Sequence, residues 1–145
     1  MTWFNNSEGR YGASGAKGDL GEQIVEQFCV KNDIPFLSFT DDVNQVIYKI
    51  DCFINNIPVD IKANYNNGRL VVELYHTRKK SPGWLYTTYA EQIYGVDTAS
   101  KSIYRYNIRD MKSYVNKHKE RGYKSRSGDI LLYVPVSQPF IERIQ

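Results

Sequence analysis

The run Tyr48-Lys49-Ile50-Asp51-Cys52-Phe53-Ile54-Asn55-Asn56-Ile57-Pro58-Val59-Asp60-Ile61-Lys62 decides how this chain is read. Asn55-Asn56 separates two β-rich segments, and asparagine tolerates the positive φ that a two-residue hairpin turn demands. With those residues in the turn, Ile54 pairs with Ile57 and Cys52 with Val59; Asp51 then faces Asp60, and Lys49 faces Lys62. Directly opposed residues share one face of a sheet, with Cβ atoms roughly 5 Å apart. Two bare carboxylates at that spacing repel, so a bound cation is a physical reason to place them there. Lys62, two residues beyond Asp60, points to the same side. Two carboxylates and a lysine on one sheet face suit metal-assisted phosphodiester hydrolysis. The same charges also alternate with Val59, Ile61 and Ala63 as in any half-exposed amphipathic strand, and an isolated Asp-x-Lys is a common chance match. The hairpin register weighs against that plainer reading, because aspartate is disfavoured in strands and two opposed aspartates are costly.

Upstream lies Gly18-Asp19-Leu20-Gly21-Glu22-Gln23-Ile24-Val25-Glu26-Gln27-Phe28-Cys29-Val30. Leu20, Ile24, Val25, Phe28 and Cys29 recur at helical spacing and define one buried face. Glu22 falls at the border of that face, where it can reach the sheet edge or simply serve as a boundary glutamate. Glu26, one turn on, falls on the solvent side.

A helix with a glycine-flanked glutamate, a strand aspartate, and Asp-x-Lys on the next strand together resemble the PD-(D/E)XK nuclease superfamily. Lys17-Gly18-Asp19-Leu20-Gly21-Glu22 is similar to the start of Holliday-junction resolvases and related phage nucleases within it. Ile50 stands before Asp51 where the family name has proline. The resemblance implies a restriction-endonuclease-like α/β core, with a central mixed β-sheet flanked by helices. It also implies Glu22, Asp51 and Asp60 as metal-binding carboxylates and Lys62 as the catalytic lysine. On that reading one or two Mg²⁺ ions, with Mn²⁺ as a substitute, sit on Asp51, Asp60, Glu22 and the carbonyl of Ile61. Oxygen-only donors favour such hard cations over zinc.

At 145 residues the chain is long enough for one domain with one modest core, here taken as 1–145 with a mobile polar, glycine-rich arm over about 1–17. Hydrophobic residues make up 41%, mean hydropathy is −0.53, and no apolar run nears the ~18 residues of a membrane span. The N-terminus lacks the basic and apolar regions of a secretory signal, and Cys29 and Cys52 read as buried free thiols, so a cytoplasmic protein is expected. His76 and His118 have no companions at metal-ligand spacing.

Charge is unevenly spread. Residues 1–77 carry six basic and ten acidic side chains, whereas residues 78–126 carry twelve basic and four acidic ones. The basic half is suited to hold a polyanion over the acidic one. Candidate DNA contacts are Arg10 and Lys17 in the arm, Arg78, Lys79 and Lys80 in a loop ending at Trp84, and Lys117, Lys119, Arg121, Lys124 and Arg126 in a glycine-punctuated stretch. Trp84 suits either groove insertion or core packing.

The remaining order is coherent. A first helix is expected from about Asp19 to Lys31, then a meander of Val46–Ile54, Ile57–Asn64 and Arg69–His76, the last after an Asn67-Gly68 turn. That turn places Glu73 opposite Lys62, as a cross-strand partner tuning the lysine or as a further metal contact. A short helix near Thr87–Glu91 leads into a strand at Gln92–Val96. A strand returns over Lys101–Asn107, and a helix over Ile108–Lys117 turns Ile108, Met111 and Val115 inward. Asp129–Val136 is apolar enough for a central strand. The expected activity is a DNA endonuclease, junction-resolving or site-specific (restriction or homing type), acting as a homodimer so that each site cuts one strand. The rival is a non-catalytic DNA-binding module on the same fold.

Overall fold

Asn55 and Asn56 both take positive φ, 53° and 68°, and turn the chain back on itself in two residues. The flanking strands pair as Cys52↔Val59, Phe53↔Pro58 and Ile54↔Ile57, the expected register. The computed structural model describes residues 7–39, 43 and 47–145, with side chains from residue 16 onward. In chain order the elements are α1 (Ser7–Lys31), β1 (Phe36–Ser38), β2 (Cys52–Ile54), β3 (Ile57–Lys62), β4 (Tyr65–Asn66), β5 (Arg69–His76), β6 (Ser81–Pro82), α2 (Trp84–Thr87), β7 (Gln92–Asp97), β8 (Ser102–Asn107), α3 (Ile108–His118), β9 (Tyr123–Lys124), β10 (Ile130–Pro135) and β11 (Glu142–Arg143).

They build an α/β fold around two sheets, a six-stranded one ordered β1-β2-β3-β7-β8-β11 and a smaller one ordered β4-β5-β10-β9. The larger sheet is mixed, because β3 pairs parallel with β7 while its other neighbours are antiparallel. Strand alternation sorts the residues of β3: Val59 and Ile61 join Ile24, Val25, Cys29, Tyr94, Val96 and Ile103 in a core beneath α1. A second core, with Leu70, Val72, Leu85, Ile93, Tyr106, Met111, Val115 and Val134, lies between the two sheets and under α3. Val25, Val59, Val96 and Ile103 are fully buried, each worth about 1.5–3 kcal/mol relative to exposure.

Several expectations need correction. The helix begins at Ser7, not near Asp19, so the backbone of 7–17 is helical where a mobile arm was expected; Ala13, Ala16, Glu8 and Lys17 supply helix propensity against the glycines. Leu20 is exposed, and its place on the buried face goes to Gly21, where an added Cβ would lie 3.4 Å from Ala63 Cβ. Strand β2 starts only at Cys52, because Lys49 has φ 55° and leaves extended geometry, so Lys49 does not pair with Lys62; Val46 lies outside the described residues. The short helix is Trp84–Thr87, one turn early, since Gly83 caps it and Thr88 is already extended.

The largest departure concerns the meander. The turn at Asn67 and Gly68 forms as expected, with Tyr65↔Leu70 and Asn66↔Arg69 paired. Yet the chain leaves the larger sheet after Lys62, and β5 belongs to the smaller one. Glu73 is therefore opposite Leu131 of β10, not Lys62. The neighbour that β3 takes instead is β7, with Lys62↔Gly95. Gly95 makes room for the crossing: a Cβ there would stand 2.9 Å from Leu70 Cδ2 and 3.0 Å from Asn64 Oδ1. Strand β10 is interior, between β5 and β9, but in the smaller sheet.

Candidate active site

The alternation that buries Val59 and Ile61 under α1 sends Asp60 and Lys62 to the opposite face of the sheet. Asp60 is 4% exposed, and Lys62 Nζ stands 3.3 Å from its Oδ2. Asp51, just before β2, is held by backbone and side chain, and its carbonyl accepts from the Phe39 N–H at 2.9 Å. Its N–H donates to the Val59 carbonyl at 2.9 Å, and its Oδ2 accepts from the Ile61 N–H at 2.8 Å. A strand residue's amide and carbonyl point to the same edge, so the Ile61 carbonyl is directed toward Asp51 as well. Glu22 arrives from α1, brought close by Gly21 against Ala63. Glu22, Asp51, Asp60, Ile61 and Lys62 together line one wall of a cavity of about 580 Å³.

Electrostatics in this wall are unfavourable to the bare carboxylates. Burial, then the neighbouring Asp60 and Glu22, hold the Asp51 carboxyl well above the usual range, and the Ile61 N–H only partly offsets this. Desolvation of the Glu22 carboxyl, then Asp19 and Asp60 nearby, pushes its pKa up to about 7 against the pull of Lys62, although the residue as a whole is exposed. Asp60 Oδ2 is buried without a hydrogen-bond partner; Lys62 brings charge near it but no aligned donor. An orphaned buried oxygen beside two crowded carboxyls fits a hard divalent cation, which would satisfy the oxygen and relieve the repulsion. Glu22, Asp51, Asp60 and the Ile61 carbonyl form an all-oxygen set of the kind Mg²⁺ and Mn²⁺ take.

The facing wall comes from the smaller sheet and the segment after it: Glu73 and His76 of β5, Lys79, Ser81, Pro82, Trp84 and Thr87. Glu73 thus shares the cavity with Lys62 without being its strand partner. His76 does have companions. Its nitrogen and the carboxylate oxygens of Glu73 and Asp129 lie within 4.8 Å of one another. Asp129 Oδ1 accepts from the Thr77 N–H at 2.8 Å and stands 3.9 Å from His76 Nδ1. No spacing rule finds this group, because strand pairing of β5 with β10 brings Asp129 in from far along the chain. Trp84 packs partly into the core and presents its ring to Lys62, whose Nζ is 5.0 Å from the centroid.

The expected phosphate contacts fall into groups. Lys17 is exposed on α1; Arg10 lies on the same helix, with its side chain outside the described residues. Arg78, Lys79 and Lys80 form the exposed tip between β5 and β6, and Lys79 reaches the cavity. Lys117 ends α3, Lys119 and Arg121 sit in a short 3-10 turn, Lys124 lies in β9 and Arg126 in the loop beyond, all exposed. Cys29 and Cys52 are free and buried. Among the described residues no helix is long and apolar enough to cross a membrane.

No protein-family model matches the chain, and no curated protein matches it. Among solved structures, a bacterial homing endonuclease, I-Ssp6803I, aligns with a TM-score of 0.52 over 85% of this chain and 75% of that one, at 15% identity. The chain shares that endonuclease's fold.

Proposed function

We propose that this chain is a metal-dependent DNA endonuclease of the PD-(D/E)XK type. The observation that carries the reading is the convergence of Glu22, Asp51, Asp60 and Lys62 on one cavity around an orphaned carboxylate oxygen. The fold shared with a homing endonuclease supports it and favours site-specific over junction-resolving cleavage. Glu22, Asp51, Asp60 and the Ile61 carbonyl hold Mg²⁺, or Mn²⁺ in its place. When bound, the cation neutralises charge at the scissile phosphate and acidifies the attacking water.

The chain's own groups do the rest. Lys62, held beside Asp60, orients the water or balances the charge that develops as the new P–O bond forms and the old one breaks. Lys79 and its neighbours Arg78 and Lys80 grip the DNA backbone beside the cavity, and the exposed cations from Lys117 to Arg126 extend that grip. One catalytic cavity within a single 145-residue domain cuts one strand, so a homodimer addresses a duplex.

The test is incubation of the protein with matched linear, nicked, flapped and four-way-junction DNAs, with Mg²⁺, Mn²⁺ or a chelator. Cleavage with a divalent cation, lost with the chelator and in Asp60→Asn, is the expected result. Binding without cleavage under every condition would favour the non-catalytic module instead.

A further inference from the structure

Lys62 Nζ lies between two partners of different character. One is Asp60 Oδ2 at 3.3 Å; the other is the face of Trp84, whose centroid is 5.0 Å away. A cation seated on Asp60 competes with the ammonium for the same carboxylate oxygen. Lysine has a flexible four-carbon stem and no planar fork to preorganise it. Deprived of Asp60, it would sample solvent unless something else retains it.

Trp84 is built to stay in place. Gly83, just before it, is pressed on β5 so closely that a Cβ would come 1.8 Å from the Glu73 carbonyl oxygen. The Gly83 N–H donates to the Leu74 carbonyl at 3.0 Å, and the Thr88 N–H closes the short helix on the Trp84 carbonyl at 3.0 Å. Leu85, next in sequence, is fully buried. The backbone that carries the indole is therefore tied to the smaller sheet through Gly83 and seated in the core by Leu85, while the lysine it faces stands on the larger sheet.

We propose that Trp84 is a positioning residue for Lys62: its indole face retains the ammonium over the cavity when a divalent cation occupies Asp60. This deepens the endonuclease reading and rests on it. An aromatic face within about 6 Å of an ammonium is attractive, most strongly for tryptophan. The indole is neither charged nor a ligand for Mg²⁺, so it holds the lysine without competing for the metal.

Two measurements on the full chain test this. The first needs no catalysis: side-chain resonances of isotope-labelled lysine, with Lys62 assigned by its loss in Lys62→Met. Ring-current shielding of the Lys62 terminal methylene is expected, persisting at saturating Mg²⁺ and collapsing in Trp84→Leu. The second is single-turnover cleavage at saturating Mg²⁺. Trp84→Leu should slow the step about tenfold with DNA affinity little changed, Trp84→Phe should recover most of the rate, and Trp84→Leu should cost nothing further in a Lys62→Met background.

An unshielded Lys62 in the Mg²⁺-bound wild type overturns the proposal, and this holds even should Trp84→Leu fail to fold. So does an equal loss from Trp84→Leu with and without Lys62, which would mark a packing effect. Persistent shielding in a wild type that cuts no DNA would refute the endonuclease reading while supporting the placement of the lysine.

Discussion

The Ile61 N–H donates to Asp51 Oδ2 at 2.8 Å, so the backbone of the strand that carries Asp60 holds the carboxylate of its neighbour. Asp51 lies just outside β2, and without this bond the loop before it would leave the carboxyl unfixed. The bond also lowers the cost of ionising Asp51, though burial and Asp60 outweigh it. The pair of aspartates is thus fixed in place and electrostatically strained before any cation arrives.

Asp60→Asn should abolish cleavage while leaving DNA affinity within about tenfold, because the basic surface remains. The metal-free protein should become more thermostable, since a buried like-charge repulsion with Asp51 is removed. Mg²⁺ should then no longer raise the melting temperature. Melting curves with and without Mg²⁺, alongside a cleavage assay, check all three; wild-type cleavage would exclude Asp60 from the site.

The pH dependence has a definite sign. Glu22 titrates near 7 in the fold against an ordinary value of 4.5, and Asp51 is also raised. Between those values the folded protein binds more protons than the unfolded chain, so these groups make metal-free stability fall as pH rises from about 4.5 through 7. Protons and cations compete for the same oxygens, so the stabilisation by Mg²⁺ should grow over the same window. Thermal melts from acid to neutral pH read both trends, and Glu22→Gln should flatten them.

Lys62→Met keeps the hydrocarbon stem and removes the charge. Loss of a group acting on the water or on transition-state charge should cut kcat by roughly a hundredfold or more. Mg²⁺ affinity should barely fall, because lysine is not a ligand. Single-turnover cleavage across a Mg²⁺ titration separates the two, and a near-normal rate would remove Lys62 from the mechanism.

Neutralising Lys117, Lys119, Arg121 and Lys124 together should weaken DNA binding and flatten its salt dependence, by about 0.9 in slope for each phosphate that no longer meets a cation. These side chains are all exposed, so the fold should tolerate the change. An unchanged slope would place this segment away from DNA.

The hairpin was legible because two adjacent asparagines with positive φ leave one register for Cys52 and Val59, and that register puts both aspartates on one side. Helix α3 was legible from Ile108, Met111 and Val115, all buried. The exit of the chain from the larger sheet after Lys62 was not, since the Asn67-Gly68 turn serves a meander equally well. The room for that crossing comes from Gly95, far downstream, which a local pattern does not weigh. Asp129 escaped notice beside His76 for the same reason: pairing between β5 and β10, not spacing, brings them together.

Gly95 also determines something besides topology. Its strand partner is Lys62, and its absent side chain is the space into which Leu70 and Asn64 fit. The wall that carries Asp60 and Lys62 and the facing wall of Glu73, His76 and Trp84 therefore keep their separation by virtue of a missing methyl. Alanine at this position would act as a shim between the sheets, widening the mouth that a nucleic-acid strand must enter while every charged group in it stays the same.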